Sequence, residues 1–316
     1  MNAAKRKRDP HPLARLTTKF FPFFHGGWRP AILSCVLAGL FVGGVLYAWH
    51  QWGGQITATE EFFVLPEQIE VTAAPKWVKA DVKAEVVRDS GLTRLSLLDK
   101  QLTIQVAQAF AGHPWVEKVI RVSKHHPPRL VVELVYRRPV GMVEVVLQSQ
   151  PGLLPVDASG VLLPPSDFSA DQAHEYLRIS VPDTTPAGAV GTPWGDPRVV
   201  GAARIASLLQ DSWKTLGLHH ILANRPDPSI KPPHPLDAPT YELFTRGGTR
   251  ILWGPAPANE NAVETTMALK KVSRLLAHAK TNNGSLDTGR PSAVIDLRPK
   301  EEELRTAKRP TIPPGR

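Results

Sequence analysis

The stretch PWVEKVIRVSKHHPPRLVVELVYRRPV, residues 114–140, decides the fold. Pro114-Trp115-Val116 opens a β-rich run to Val122, His125-His126-Pro127-Pro128 forms a turn, and a second run extends from Leu130 to Tyr136. Two β-branched runs around a proline-containing turn predict a hairpin. Upstream, Ile69 and Val71 predict a short strand stopped by Pro75. Val78, Val82, Val86 and Val87 recur at helical spacing, and Gly91 ends that helix. A second helix is capped by Ser96 or Asp99, carries Leu98, Leu102, Val106, Ala109 and Phe110 on one side, and closes at Gly112. The order βααββ over residues 66–140 predicts a small α+β domain with its helices on one sheet face.

Downstream, Leu154 to Leu162 reads as a short hairpin turning at Asp157-Ala158-Ser159-Gly160, where Asp bonds back to turn amides and Gly accepts positive φ. Residues 182–197 carry four prolines and form a loop, and Val199–Leu216 suits a helix against a sheet. Six prolines between Pro226 and Pro239 mark an inserted surface loop. Tyr241–Thr245 and Thr249–Trp253 flank Arg246-Gly247-Gly248, a hairpin signal. A helix from about Glu260 to Ala279 places Val263, Met267, Val272, Leu275, Leu276 and Ala279 near one face, with Lys270, Lys271 and Arg274 on a solvated one. Ala293–Arg298 is the closing strand, and a charged, proline-rich tail at 300–316 is expected to be disordered. Residues 141–299 thus predict a mixed α/β domain on a mostly antiparallel sheet.

The N-terminal part sets the compartment. Ala31–Trp49, AILSCVLAGLFVGGVLYAW, is nineteen residues without a charge. About 20 apolar residues span the hydrocarbon core as a helix, and Trp28, Tyr47 and Trp49 lie where aromatic residues favour the interfaces. The arm 1–29 holds seven basic residues against one acid; after the apolar run no Lys or Arg appears before Lys76. Lys/Arg excess marks the cytoplasmic side, so residues beyond the 51–65 linker are expected outside. A cleaved secretory signal is the competing reading. The long basic lead, the long apolar run at 30–50 and the poor cleavage site His50-Gln51-Trp52 favour an uncleaved anchor.

The formal charge of +9 is mostly this arm: +6 falls in residues 1–29 and +3 in the rest, which argues against a nucleic-acid function. The single cysteine, Cys35, lies in the apolar run, so the chain has neither an internal disulfide nor a cysteine-based zinc site. The 31 prolines imply long irregular connections.

Residues 66–140 resemble the polypeptide-transport-associated (POTRA) domain of the bacterial cell-division family FtsQ/DivIB. The shared features are Pro114-Trp115-Val116, Pro127 with Leu130, and Tyr136-Arg137-Arg138-Pro139-Val140, in which Tyr136 replaces the family's usual glutamate. The Asp157-to-Gly160 turn, Gly254 after the Gly hairpin and the Ile295-Asp296-Leu297-Arg298 strand continue the resemblance to residue 299. It implies a single-pass inner-membrane scaffold at the division septum, with a cytoplasmic N-terminus and extracytoplasmic domains. It also implies partners of the FtsB and FtsL type, no cofactor and no reaction of its own. Strand addition at an exposed edge supplies such docking, and the resemblance assigns it to Ile295, Asp296, Leu297 and Arg298. Pro299 ends it, because proline has no N–H for a ladder.

Two other function classes compete. A POTRA-bearing secretion or outer-membrane assembly component predicts repeated units or a C-terminal barrel. An extracytoplasmic metallohydrolase would use histidines, but His125-His126 and His219-His220 are adjacent pairs, and strand neighbours point to opposite faces. These pairs and His234 read as surface residues, and Asp157 reads as a turn residue rather than a catalytic acid. No phosphate loop or G-x-S-x-G is present, so no catalytic, cofactor or metal residue is assigned. In the anchor, Gly39 and Gly43 form a G-x-x-x-G that lets membrane helices approach closely.

Overall fold

The computed structural model describes residues 29–57, 62–224, 239–257, 262–282, 284–287 and 293–298. The basic arm before residue 29, His234 with most of the proline-rich loop, and the tail from Pro299 lie outside them.

Helix α1 (Arg29–Thr57) is 29 residues long. Its segment Ala31–Trp52, 22 residues, is long and apolar enough to cross a membrane, and none of it is buried within the protein. At 1.5 Å per residue it reaches about 33 Å, enough for a hydrocarbon core of about 30 Å. The helix runs past Gly53-Gly54 into the expected 51–65 linker. A helical glycine costs only about 1 kcal/mol relative to alanine, too little to stop an established backbone ladder.

From Val64 onward the chain is one compact unit with two apolar cores. The first lies on a three-stranded sheet of order β1 (Ile69–Val71), β3 (Arg129–Tyr136), β2 (Val116–His125). Strand β1 is parallel to β3, and β2 is antiparallel to it. Helices α2 (Val82–Ser90) and α3 (Leu102–Ala111) bury Val82, Val86, Leu102, Val106 and Phe110 against Leu130, Val132 and Leu134 of β3. The three strands and two helices come in the expected order, with an added two-stranded pair, Phe63–Val64 and Leu95–Ser96, whose second strand falls between α2 and α3. Helix α2 starts later than its valine spacing implies: the Asp81 carboxylate accepts from Ala84 N–H (3.0 Å), leaving Val78 before it, and Gly91 (φ 63°) ends it. Ser96 and Asp99 do not cap α3. They accept from Leu98 N–H (3.3 Å) and Gln101 N–H (2.8 Å), holding the turn that leads in, and Leu98 is exposed.

The second core lies on a seven-stranded sheet. Its strands are β4 (Pro139–Leu147), β5 (Gln150–Asp157), β6 (Arg178–Ser180), β7 (Leu218–Ala223), β8 (Thr240–Thr245), β9 (Arg250–Pro255) and β10 (Val294–Asp296), in the order β10-β9-β8-β7-β6-β4-β5. The expectation of a mostly antiparallel sheet is corrected. Pairs β4–β6, β6–β7 and β9–β10 are parallel, and the other three are antiparallel. Strand β6 has three residues, too few to show alternation in sequence, and it makes both of its pairings parallel. Parallel neighbours need long crossovers: α5 (Pro197–Leu208) lies between β6 and β7, and α6 (Ala262–Thr281) between β9 and β10.

Helices α5 and α6 share a core with one face of this sheet, through Val143, Ile179, Ile221, Leu243, Ile251 and Trp253. Helix α5 starts on an Asp196 cap and stops at Leu208, short of the expected Leu216, with turns to Gly217 (φ 67°). Its small residues allow close approach. A Cβ on Gly201 would lie 2.0 Å from the hydroxyl of Tyr241, which donates to Arg198 O (3.1 Å) and whose pKa burial pushes far up. Gly201→Ala is expected to lower stability by about 1–3 kcal/mol through overpacking, read as a lower urea midpoint.

Helix α6 buries Ala268, Val272, Leu275 and Ala279, while Leu276 of the expected face is exposed. Lys271 corrects the solvated-face expectation. It is buried, its Nζ donates to Trp253 O (2.6 Å), and it lies 5.2 Å from the Trp253 ring centroid. Residue 253 sits at a register shift between β8 and β9, so the lysine serves a carbonyl displaced from the regular ladder.

Buried acids tie segments distant in sequence, Asp167 within the first core and Asp157 between the two sheets. Asp167 accepts from Trp115 Nε1 (2.9 Å) and from the backbone N–H groups of Lys79 (3.3 Å) and Ala80 (3.4 Å). Asp157 pairs with Arg137 Nη1 at 2.6 Å, and Trp77 Nε1 donates to Arg137 O (3.0 Å).

Candidate functional site

Strand β10 forms one edge of the seven-stranded sheet. Two hydrogen bonds establish which of its groups are used: Arg250 N–H to Ala293 O (2.8 Å) and Leu297 N–H to Leu252 O (2.9 Å). Because backbone groups alternate along a strand, residues 293, 295 and 297 face β9, and the N–H and C=O of Val294 and Asp296 turn outward. Arg298 N–H, next in that outward series, donates to Asp296 Oδ1 (2.9 Å). The Arg298 guanidinium also grips Asp296, with Nη2 to Oδ2 at 2.7 Å, and holds that carboxyl down at about 2. Among the described residues the open edge is therefore two residues long and ends in a self-made cap.

Of the four residues expected here, Asp296 offers backbone groups outward. Ile295 is spent on β9, the Leu297 side chain is buried, and Arg298 closes the edge. Val294, 57% exposed, belongs to the site and escaped the family pattern. Its signal is the alternation itself: if Ile295 and Leu297 face inward, Val294 cannot.

The opposite edge, β5, is blunted. The two-residue turn Gln148-Ser149 pairs Leu147 with Gln150. Pro155 O accepts from Leu163 N–H (2.9 Å), and Asp157 N–H donates to Val161 O (3.1 Å). Outward residues are thus 151, 153, 155 and 157, and two of these are prolines in positions that protect an edge. Asp157 is the turn residue expected, its Oδ1 accepting from Ser159 N–H (2.9 Å) and Val161 N–H (2.8 Å).

No protein-family model matches the chain, and no curated protein matches it.

The sheet face opposite α5 and α6 carries paired polar groups. Arg250 chelates Glu242 at 2.6 and 2.7 Å, Asn224 adds a third bond at 3.0 Å, and the arginine lowers the Glu242 pKa. Glu144, Ser180 and His220 line up on three adjacent strands. Ser180 Oγ bonds to the Glu144 carboxylate, and His220 Nε2 lies 2.8 Å from that Oγ. In a nucleophilic triad the histidine stands between serine and acid and accepts the serine proton. Here serine stands in the middle. A carboxylate only accepts, so Ser180 donates to Glu144 and His220 Nε2–H donates to Ser180. The serine proton points to the carboxylate and not to the histidine, so the order of a triad is not reproduced and the trio cross-links strands.

His220 is thus half-buried, not a surface residue, and it also touches His219, ring centroids 5.9 Å apart. Strand neighbours should diverge, but the register shift between Phe244 and Thr245 makes His219 an extra residue. Among the described residues no group of three or more His, Cys, Asp or Glu side chains could hold a metal ion. In α1, a Cβ on Gly39 or Gly43 would meet nothing within 4 Å, so that flank of the helix is open.

Proposed function

We propose that this chain is a bitopic membrane scaffold of the FtsQ/DivIB type, with its compact unit outside the cytoplasmic membrane and its basic arm inside. It tethers cytoplasmic division apparatus to extracytoplasmic septal wall-synthesis proteins by protein–protein binding, with partners of the FtsB and FtsL type, and has no reaction of its own. The observation that carries the reading is the contrast between the sheet's two edges. Proline protects one, while the other leaves Val294 and Asp296 without a backbone partner among the described residues, where the family resemblance suggests docking. The apolar α1 behind a basic arm and the βααββ order ahead of the larger sheet support the same reading. Strand addition there would supply main-chain hydrogen bonds, with selectivity from alternate side chains.

The test uses the full chain. A fluorescent fusion is expected to gather at midcell, pull-downs are expected to recover division partners, and depletion is expected to block septation. Even envelope distribution, together with normal septation on depletion, would sink the proposal.

A further inference from the structure

Residues 294, 296 and 298 form one outward series along β10, and the third is already spent. Asp296 Oδ1 accepts from Arg298 N–H (2.9 Å) and Nε (3.0 Å), and Oδ2 accepts from Nη2 (2.7 Å). The chain bends at Arg298. Taking the docking edge as proposed above, we infer that this clamp is a length stop: it holds a partner's ladder to Val294 and Asp296, so that a short extended segment docks and its pairing cannot run on along residue 298.

The clamp is built into the sheet. Gly254 on β9 has φ 81°, and a Cβ there would lie 3.3 Å from Arg298 Cγ. The missing side chain leaves the arginine stem room beside β9, and its guanidinium turns back onto Asp296. Glu242 on β8 attracts the same guanidinium. Backbone chemistry makes the clamp a stop. An added strand running past Asp296 would next aim a carbonyl at Arg298 N–H. That hydrogen already has a carboxylate acceptor, and a charge-assisted bond is roughly twice as strong as a neutral one. The added carbonyl would stay unpaired, which costs free energy wherever water is excluded. The far edge is limited differently: Pro151 and Pro155 blunt β5, across a groove from α4 (Ala170–His174).

Binding of a purified FtsB-type partner to the full chain in detergent micelles tests this. Asp296→Ala removes the acceptor and frees Arg298 N–H. Asp296→Asn removes the same charge but keeps an oxygen for that N–H. Asp296→Ala is expected to bind the partner about threefold or more tightly than Asp296→Asn, the gain from one net backbone hydrogen bond. On binding, the Arg298 amide is expected to gain hydrogen-exchange protection in Asp296→Ala alone. Equal affinities for the two variants, with Val294→Pro still lowering capture, overturn the length stop and leave the docking edge standing. If Val294→Pro captures the partner normally, the docking reading fails and the stop with it.

Discussion

Asp157→Ala is expected to destabilise the protein by about 3–5 kcal/mol, the range for removing one partner of a buried ion pair. The Asp157 side chain is 5% exposed and that of Arg137 16%, so solvent cannot screen what is left behind. The loss is compound. Arg137 Nη1 loses its acceptor at 2.6 Å, and Arg137 Nε is already buried without a partner. The turn amides of Ser159 and Val161 lose theirs as well. Asp157→Asn separates these effects: it keeps an acceptor for the turn while discarding the charge, and is expected to cost about half as much. Urea unfolding of the full chain in micelles, followed by tryptophan fluorescence, measures both. A loss below about 1 kcal/mol for Asp157→Ala would show that Arg137 finds water or another acceptor. Arg137 leaves the first sheet and Asp157 ends a strand of the second, so unfolding of the two cores should also become less coincident.

Val294→Pro is expected to lower partner capture at least tenfold with the urea midpoint unchanged. The Val294 N–H faces away from β9, so a proline there removes a donor that no described residue uses and that an added strand needs. Ile295→Pro is the control. Its N–H faces β9, so it is expected to disturb the sheet itself. If Val294→Pro binds partners normally while the edge remains folded, docking lies elsewhere on the compact unit and the edge reading fails.

Much of this was legible before any coordinates. The charge-free run and the basic arm are local facts, and a helix satisfies its own backbone, so one long and apolar enough to cross a membrane needs no tertiary context to form. The hairpin at residues 114–140, the βααββ order and the Asp157 turn were equally readable, because strand patterning, glycine stops and Asx turns act over a few residues. Helix starts were less so: Val78 has the right spacing for α2, yet the cap at Asp81 decides.

What the chain alone could not show depends on pairing between distant segments. The Arg178–Ser180 strand carries no periodicity, and its insertion between β4 and β7 turns an expected antiparallel sheet into a mixed one. Lys271 reads as solvated in any helical wheel, and only the displaced Trp253 carbonyl draws it inside. His219 and His220 diverge on an ideal strand and meet because of a register shift. At the candidate site, the sequence predicts a closing strand over Ala293–Arg298, of which Val294–Asp296 forms, and a proline at 299 has no N–H for a ladder. Tertiary structure decided which backbone groups remain: the parallel register with β9 spends Ile295 and turns Val294 and Asp296 outward, since each residue of a paired strand can offer its N–H and C=O to only one side.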